Sequence, residues 1–147
     1  MAESRRPGSL RVPRRVVERL ARLAARVAQW ERARNTRIEL TLLNPPAMRR
    51  LNRRATGRRG LTDVIAFTLP QPGGGILGDV YLCPDAARRF VDSAPADRAA
   101  FGTELIRLAI HGTLHVLGYD HPSGPGRTRS AMWRRQERYV QRLAKPT

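Results

Sequence analysis

His111-Gly112-Thr113-Leu114-His115-Val116-Leu117-Gly118-Tyr119-Asp120-His121 holds all three histidines of a 147-residue chain. The first two stand four residues apart, so on a helix both imidazoles project from one face. A long helix is expected from about Ala96 to Leu117, with Phe101, Leu105, Leu108 and Ile110 as its apolar residues. Gly118 can take the left-handed conformation that ends a helix, and the chain can then turn back and carry His121 to the same point. Three neutral imidazoles at about 2.0–2.1 Å from a zinc ion would leave a fourth tetrahedral position for solvent, which marks a catalytic rather than a structural zinc. Histidine-rich sites also accept other divalent transition metals.

Upstream, the pattern changes from helix to strand and back. A first helix is expected from Pro13, with Val16, Val17, Leu20, Leu23, Ala24, Val27 and Trp30 at helical spacing and Arg15, Arg19, Arg22 and Arg26 off that stripe. Ile38, Leu40 and Leu42 alternate with polar residues and predict a strand. Asn44-Pro45-Pro46 predicts a helix start, and Gly57 its end. Val64–Leu69 and Ile76–Leu82 predict two strands joined as a hairpin by the turn over residues 70–75. A short helix from Pro84 through Val91 follows, then a break over residues 93–95. After a polar Pro/Gly/Ser segment, a final helix is expected from about Thr128, carrying Met132, Trp133, Tyr139, Val140 and Leu143. Strands grouped before the long helices place the chain in the α+β class, as one domain over residues 1–147 with a loose basic arm over 1–12.

Lys and Arg total 28 against 12 Asp and Glu, a formal net charge of +16, and Lys145 is the only lysine. The arginine fork matches phosphate oxygens and stays charged at any physiological pH. This excess points to a polyanionic partner, with nucleic acid ahead of an acidic membrane surface. An arginine-rich proteome would also raise arginine at solvated positions. No apolar run is long enough for a membrane-spanning helix. No secretory signal is expected, because no apolar segment follows the basic start. Cys83, the single cysteine, cannot form a disulfide within the chain. It is expected to be a small buried hydrophobe, and the cysteine usage fits a cytoplasmic protein.

The three histidines and Gly118 share their offsets with the extended zincin pattern H-E-x-x-H-x-x-G-x-x-H, whose glutamate is the general base. Here that position is Gly112, so a peptidase would lack its base. The whole His111–His121 stretch resembles instead the signature of the YbeY family, the bacterial metal-dependent endoribonucleases of ribosomal RNA maturation. Leu51-Asn52, Thr62-Asp63-Val64-Ile65-Ala66-Phe67, Leu77-Gly78-Asp79-Val80 and Met132-Trp133-x-x-Gln136-Glu137 are similar to further family segments in the same order. The resemblance covers about residues 38 to 142. It implies a small mixed β-sheet packed with helices beside a zincin-like metal-binding helix, and action on RNA of the small ribosomal subunit.

The family's arginine, implied to serve catalysis, falls by offset from Leu51-Asn52 on Thr56, and the tyrosine before it on Ala55. Arg58 is the candidate to replace it, and Arg53, Arg54 and Arg59 add charge to the same loop. These arginines, with Arg15, Arg19, Arg22 and Arg26, are the candidate RNA-binding residues, expected to hold phosphates in a salt-dependent way. Asp120 is expected to orient a ligand histidine or to hold the turn, and Asp79 to fix a strand end. The expected activity is metal-dependent hydrolysis of RNA phosphodiesters, in single strands, during maturation of 16S ribosomal RNA. The alternatives are a non-catalytic, zinc-stabilised assembly factor that binds RNA, and a peptidase or amidohydrolase.

Overall fold

The computed structural model describes residues 11–90 and 98–144. The basic arm, except Arg11 and Val12, lies outside the described residues, as do Val91, Ala96 and the break at 93–95. The described chain runs α1 (Arg14–Trp30), β1 (Thr36–Leu42), α2 (Pro45–Thr56), β2 (Val64–Pro70), β3 (Ile76–Leu82), α3 (Pro84–Phe90), α4 (Arg98–Val116), a 3-10 turn (Gly124–Arg129) and α5 (Ala131–Leu143). None of these helices is long and apolar enough to cross a membrane.

The three strands form one mixed sheet in the order β1-β3-β2. β2 and β3 are the expected hairpin, antiparallel with Val64 opposite Leu82, while β1 runs parallel to β3 with Thr36 opposite Ile76. Helix α2 between β1 and β2 lets the chain reverse its direction before the hairpin. It begins where the sequence indicates, with the Asn44 side chain accepting from the Ala47 amide at 3.0 Å, and ends on Gly57 in the left-handed region.

The main core lies between the sheet and α1, α4 and α5, and includes Leu20, Val27, Val80, Leu82, Leu105, Ile110, Leu114 and Val140. A smaller core on the other sheet face joins Met48 and Cys83 with Leu51, Leu61, Ile65 and Tyr81. Cys83 is fully buried there, as expected of a small hydrophobe. Val12 packs against the main core just before α1 starts.

α4 sits close on β3. A Cβ on Gly78 would lie 2.5 Å from Cγ1 of Val116, and one on Gly112 2.5 Å from Cγ1 of Val80. Two glycines facing each other's element thus let a helix backbone approach the sheet. Gly78→Ala should therefore cost about 1–3 kcal/mol through overpacking, measured by urea unfolding; an unchanged midpoint would show that α4 can move away freely.

The last helix starts later than the sequence pattern suggests. Residues 124–129 form the 3-10 turn, and α5 begins at Ala131 because the Ser130 hydroxyl caps it, accepting from the Trp133 amide at 3.1 Å.

Candidate metal centre

The end of α4 is built by backbone hydrogen bonds. The Gly118 amide donates to the His115 carbonyl and the Tyr119 amide to the Leu114 carbonyl, both at 3.0 Å. Gly118 has φ 100°, so this is the glycine-terminated helix end that reverses the chain. The Asp120 carboxylate then accepts from the His121 amide at 2.8 Å, holding the turn as one of its two expected roles required.

The reversal brings the three imidazoles together. Their Nε2 atoms lie 3.1 Å (His111–His115), 3.2 Å (His115–His121) and 3.3 Å (His111–His121) apart. Each Nδ1 is engaged on the outer side. His115 Nδ1–H donates to the Tyr119 carbonyl and His121 Nδ1–H to the Pro122 carbonyl, both at 3.0 Å. Nδ1 of His111 lies 2.6 Å from Oε1 of Gln136. A carbonyl can only accept, so His115 and His121 carry their protons on Nδ1 and turn bare Nε2 lone pairs toward a common point.

Two bare Nε2 atoms facing each other repel, and with the Nε2 of His111 beside them a cation at the common point resolves the conflict. The edges of a tetrahedron whose centre lies ~2.0–2.1 Å from each nitrogen are about 3.3 Å long, which the observed spacings match. Burial drives the His111 pKa down to about 4, with His115 and His121 adding to the effect. Burial, with His121 beside it, also lowers that of His115. Both are neutral at pH 7, the form that coordinates. Among the described residues, His111, His115 and His121 are the group of His, Cys, Asp and Glu side chains whose donor atoms could hold a metal ion.

Gly112, where a zincin carries its base, faces the sheet rather than this cluster. Any side chain there would have to displace Val80. The packing that seats α4 excludes the peptidase's glutamate.

A groove of about 580 Å³ opens beside His115, walled by Thr56, Arg58, Arg59, Thr62 and the start of β2. Arg58 and Arg59 are thus brought to the cluster's side. Arg53 and Arg54 are exposed on the last turn of α2 and do not line the groove. Arg15, Arg19, Arg22 and Arg26 are exposed on α1, which packs on α4 and β1 at the sheet edge opposite β2. The structure therefore does not join them to the groove.

Thr56 has a structural task. Its hydroxyl hydrogen-bonds the Asn52 carbonyl at 2.8 Å and lies 2.9 Å from Asn52 Oδ1. It also accepts from the Arg58 amide at 3.1 Å, while Asn52 Nδ2 donates to the Gly60 carbonyl at 3.2 Å. This small network ties the basic loop, at the Arg58 amide and the Gly60 carbonyl, to the last turn of α2.

Comparison with known proteins agrees with this arrangement. Residues 8–144 match the family model described as Endoribonuclease YbeY. The chain belongs to the YbeY family. Relatives named Endoribonuclease YbeY include one from Anaeromyxobacter sp., 42% identical over 68% of this chain and 51% of its own length. Another, from Mycolicibacterium paratuberculosis, is 40% identical over 57% of this chain and 52% of its own. The chain thus spans about half the length of the curated YbeY relatives it matches. The solution structure of TM1509 from Thermotoga maritima superposes with a TM-score of 0.56 at 25% identity, covering 92% of this chain and 85% of that one.

Two residues that the sequence pattern did not single out for the site complete it. Gln136 is buried and touches His111. Glu31, at the end of α1, receives the Tyr119 hydroxyl at 2.6 Å and so anchors the turn that carries His121.

Proposed function

We propose that this YbeY-family chain is a zinc-dependent endoribonuclease that hydrolyses phosphodiesters of single-stranded RNA. On this reading it acts in the cytoplasm on 16S ribosomal RNA of the small subunit. The observation that carries the proposal is the convergence of three imidazole Nε2 atoms, 3.1–3.3 Å apart, beside a groove walled by Arg58 and Arg59. His111, His115 and His121 would hold the metal. A divalent ion there supplies Lewis acidity toward phosphoryl oxygen and the means to deprotonate water near neutral pH.

The chain's own residues do the rest. Arg58 takes the place of the family arginine, and its guanidinium stabilises the negative charge that gathers on phosphate in the transition state. Arg59 holds a neighbouring phosphate. Arg53 and Arg54, and the α1 arginines further off, extend the attraction for the RNA backbone without selecting sequence. With three Phe, three Tyr and two Trp in the whole chain, recognition relies on phosphate and shape more than on base stacking.

The test is a cleavage assay on a single-stranded RNA with zinc, with a chelator, and with zinc restored. Cleavage is expected only with metal, and Arg58→Ala should lower it by about 10²–10³-fold, the scale of losing one charge-stabilising donor. RNA affinity should fall steeply between low and moderate salt. RNA binding without cleavage under any metal would instead favour the assembly factor, for which Thr56 at the arginine position is the motivating observation.

A further inference from the structure

Of the three ring orientations, two are set by backbone carbonyls and one is not. His111 faces a side-chain amide, and an amide can turn over to present either an acceptor or a donor. In one orientation Gln136 Oε1 accepts from His111 Nδ1–H and leaves Nε2 bare. In the other, Gln136 Nε2 donates to His111 Nδ1, which moves the ring proton to Nε2.

The metal-free cluster itself favours the second state. A proton on Nε2 of His111 would point at Nε2 of His115 and His121, 3.1 and 3.3 Å away, and would relieve the repulsion among three lone pairs. It would also close the site. What opposes this lies one residue further along α5. Gln136 Nε2 donates to Glu137 Oε2 at 3.1 Å. Turning the amide over would set its oxygen against that carboxylate.

Glu137 in turn is fixed by Arg107. The guanidinium donates from Nε at 2.9 and 3.1 Å and from Nη2 at 2.9 Å to the two carboxylate oxygens. Nη1 donates to Glu104 at 2.7 Å. Arg107 lies one helical turn before His111 on α4, so the relay leaves α4, crosses to α5 and returns to the histidine.

We infer that Gln136 and Glu137, braced by Arg107, are positioning residues that lock His111 in the Nδ1–H tautomer and keep the triad open for metal. This inference rests on reading the triad as a metal site, yet its first consequence is visible without metal. Outer partners of ligand histidines typically change metal affinity by about 10–100-fold. Gln136 is almost fully buried, whereas Glu137 is partly exposed and is the safer position to change.

The experiment is nitrogen NMR of the three imidazoles in metal-free protein, together with Zn²⁺ affinity from competition with a coloured chelator. In the unchanged protein His111 should be protonated on Nδ1. Glu137→Gln should shift His111 toward the Nε2–H tautomer and weaken Zn²⁺ by about 10-fold, leaving the tautomers of His115 and His121 unchanged. Gln136→Met, which removes the acceptor at similar volume, should weaken Zn²⁺ by about 10–100-fold.

A Glu137→Gln protein that keeps the Nδ1–H tautomer and wild-type affinity would overturn the inference. Failure of the unchanged protein to bind Zn²⁺ would instead remove the metal reading, and the tautomer measurement would still decide the role of Glu137.

Discussion

His115→Ala should abolish metal-dependent behaviour while leaving the fold in place. His115 is the half-buried central member of the triad, closest to both of the other rings. Its own stabilising bond is a single donation to the Tyr119 carbonyl at 3.0 Å. Losing that bond costs about 1 kcal/mol, and removing one of three mutually repelling lone pairs offsets part of it. The metal-free variant should thus unfold within about 1 kcal/mol of the unchanged protein. Loss of an outer partner costs about 10–100-fold in metal affinity, so loss of a ligand should cost on the order of 10³-fold or more.

Thermal unfolding with and without Zn²⁺ separates the two effects. At a thousandfold excess over the dissociation constant, the ion stabilises the unchanged protein by about 4 kcal/mol. For a chain of this size that raises Tm by about 10 °C. The variant should rise by about 1 °C at most, and the RNA cleavage proposed for the protein should fall to background while RNA binding persists. A zinc-induced rise of the same size in the variant would mean that the ion binds elsewhere.

The parts of this site that could be read from the chain are the local ones. His111 and His115 at one-turn spacing, Gly118 at the helix end and His121 after the reversal are separated by few residues, and helix geometry alone relates them. The same holds for Asn44-Pro45-Pro46 and for the hairpin around the Gly-rich turn. What escaped is what packing decides. The bond from Gln136 to His111 spans 25 residues, and that from Glu31 to Tyr119 spans 88.

Glu31 looks in sequence like a polar residue at a helix terminus. Gln136 did leave a signal. It stands four residues from both Met132 and Val140, on a buried stripe of α5 where a polar residue needs a partner. The position of the α1 arginines relative to the groove was equally out of reach, because it depends on which sheet edge α1 covers. Ser130 shows the opposite lesson. A single hydroxyl moved the start of α5 three residues beyond the place suggested by periodicity, because a cap fixes a helix end more sharply than an apolar pattern does.

Glu31→Gln should be among the most damaging substitutions outside the triad. The Glu31 side chain is 9% exposed and collects three donors: the Tyr119 hydroxyl at 2.6 Å, the Tyr139 hydroxyl, and Arg135 Nη1 at 2.9 Å. It thereby ties the end of α1 to α5 and to the turn after α4. Burial pushes its pKa up, but the hydrogen bonds from Tyr119, Tyr139 and Arg135 outweigh burial and leave it below the ordinary carboxylate value. A carboxyl with a lowered folded pKa stabilises the protein above its unfolded pKa, and that contribution disappears as the pH falls through the folded value. Breaking a buried charged cluster costs about 3–5 kcal/mol, and the partial exposure of Arg135 reduces this to about 3 kcal/mol. In urea unfolding the gap between the two proteins should be largest at neutral pH and should narrow below about pH 4. Because the Tyr119 carbonyl also accepts the hydrogen bond from His115 Nδ1–H, loosening this clamp should weaken Zn²⁺ binding as well. Equal stability of the two proteins at pH 7 would show that the turn holds its shape without Glu31, and that the reversal at Gly118 alone aims His121 at the other two imidazoles.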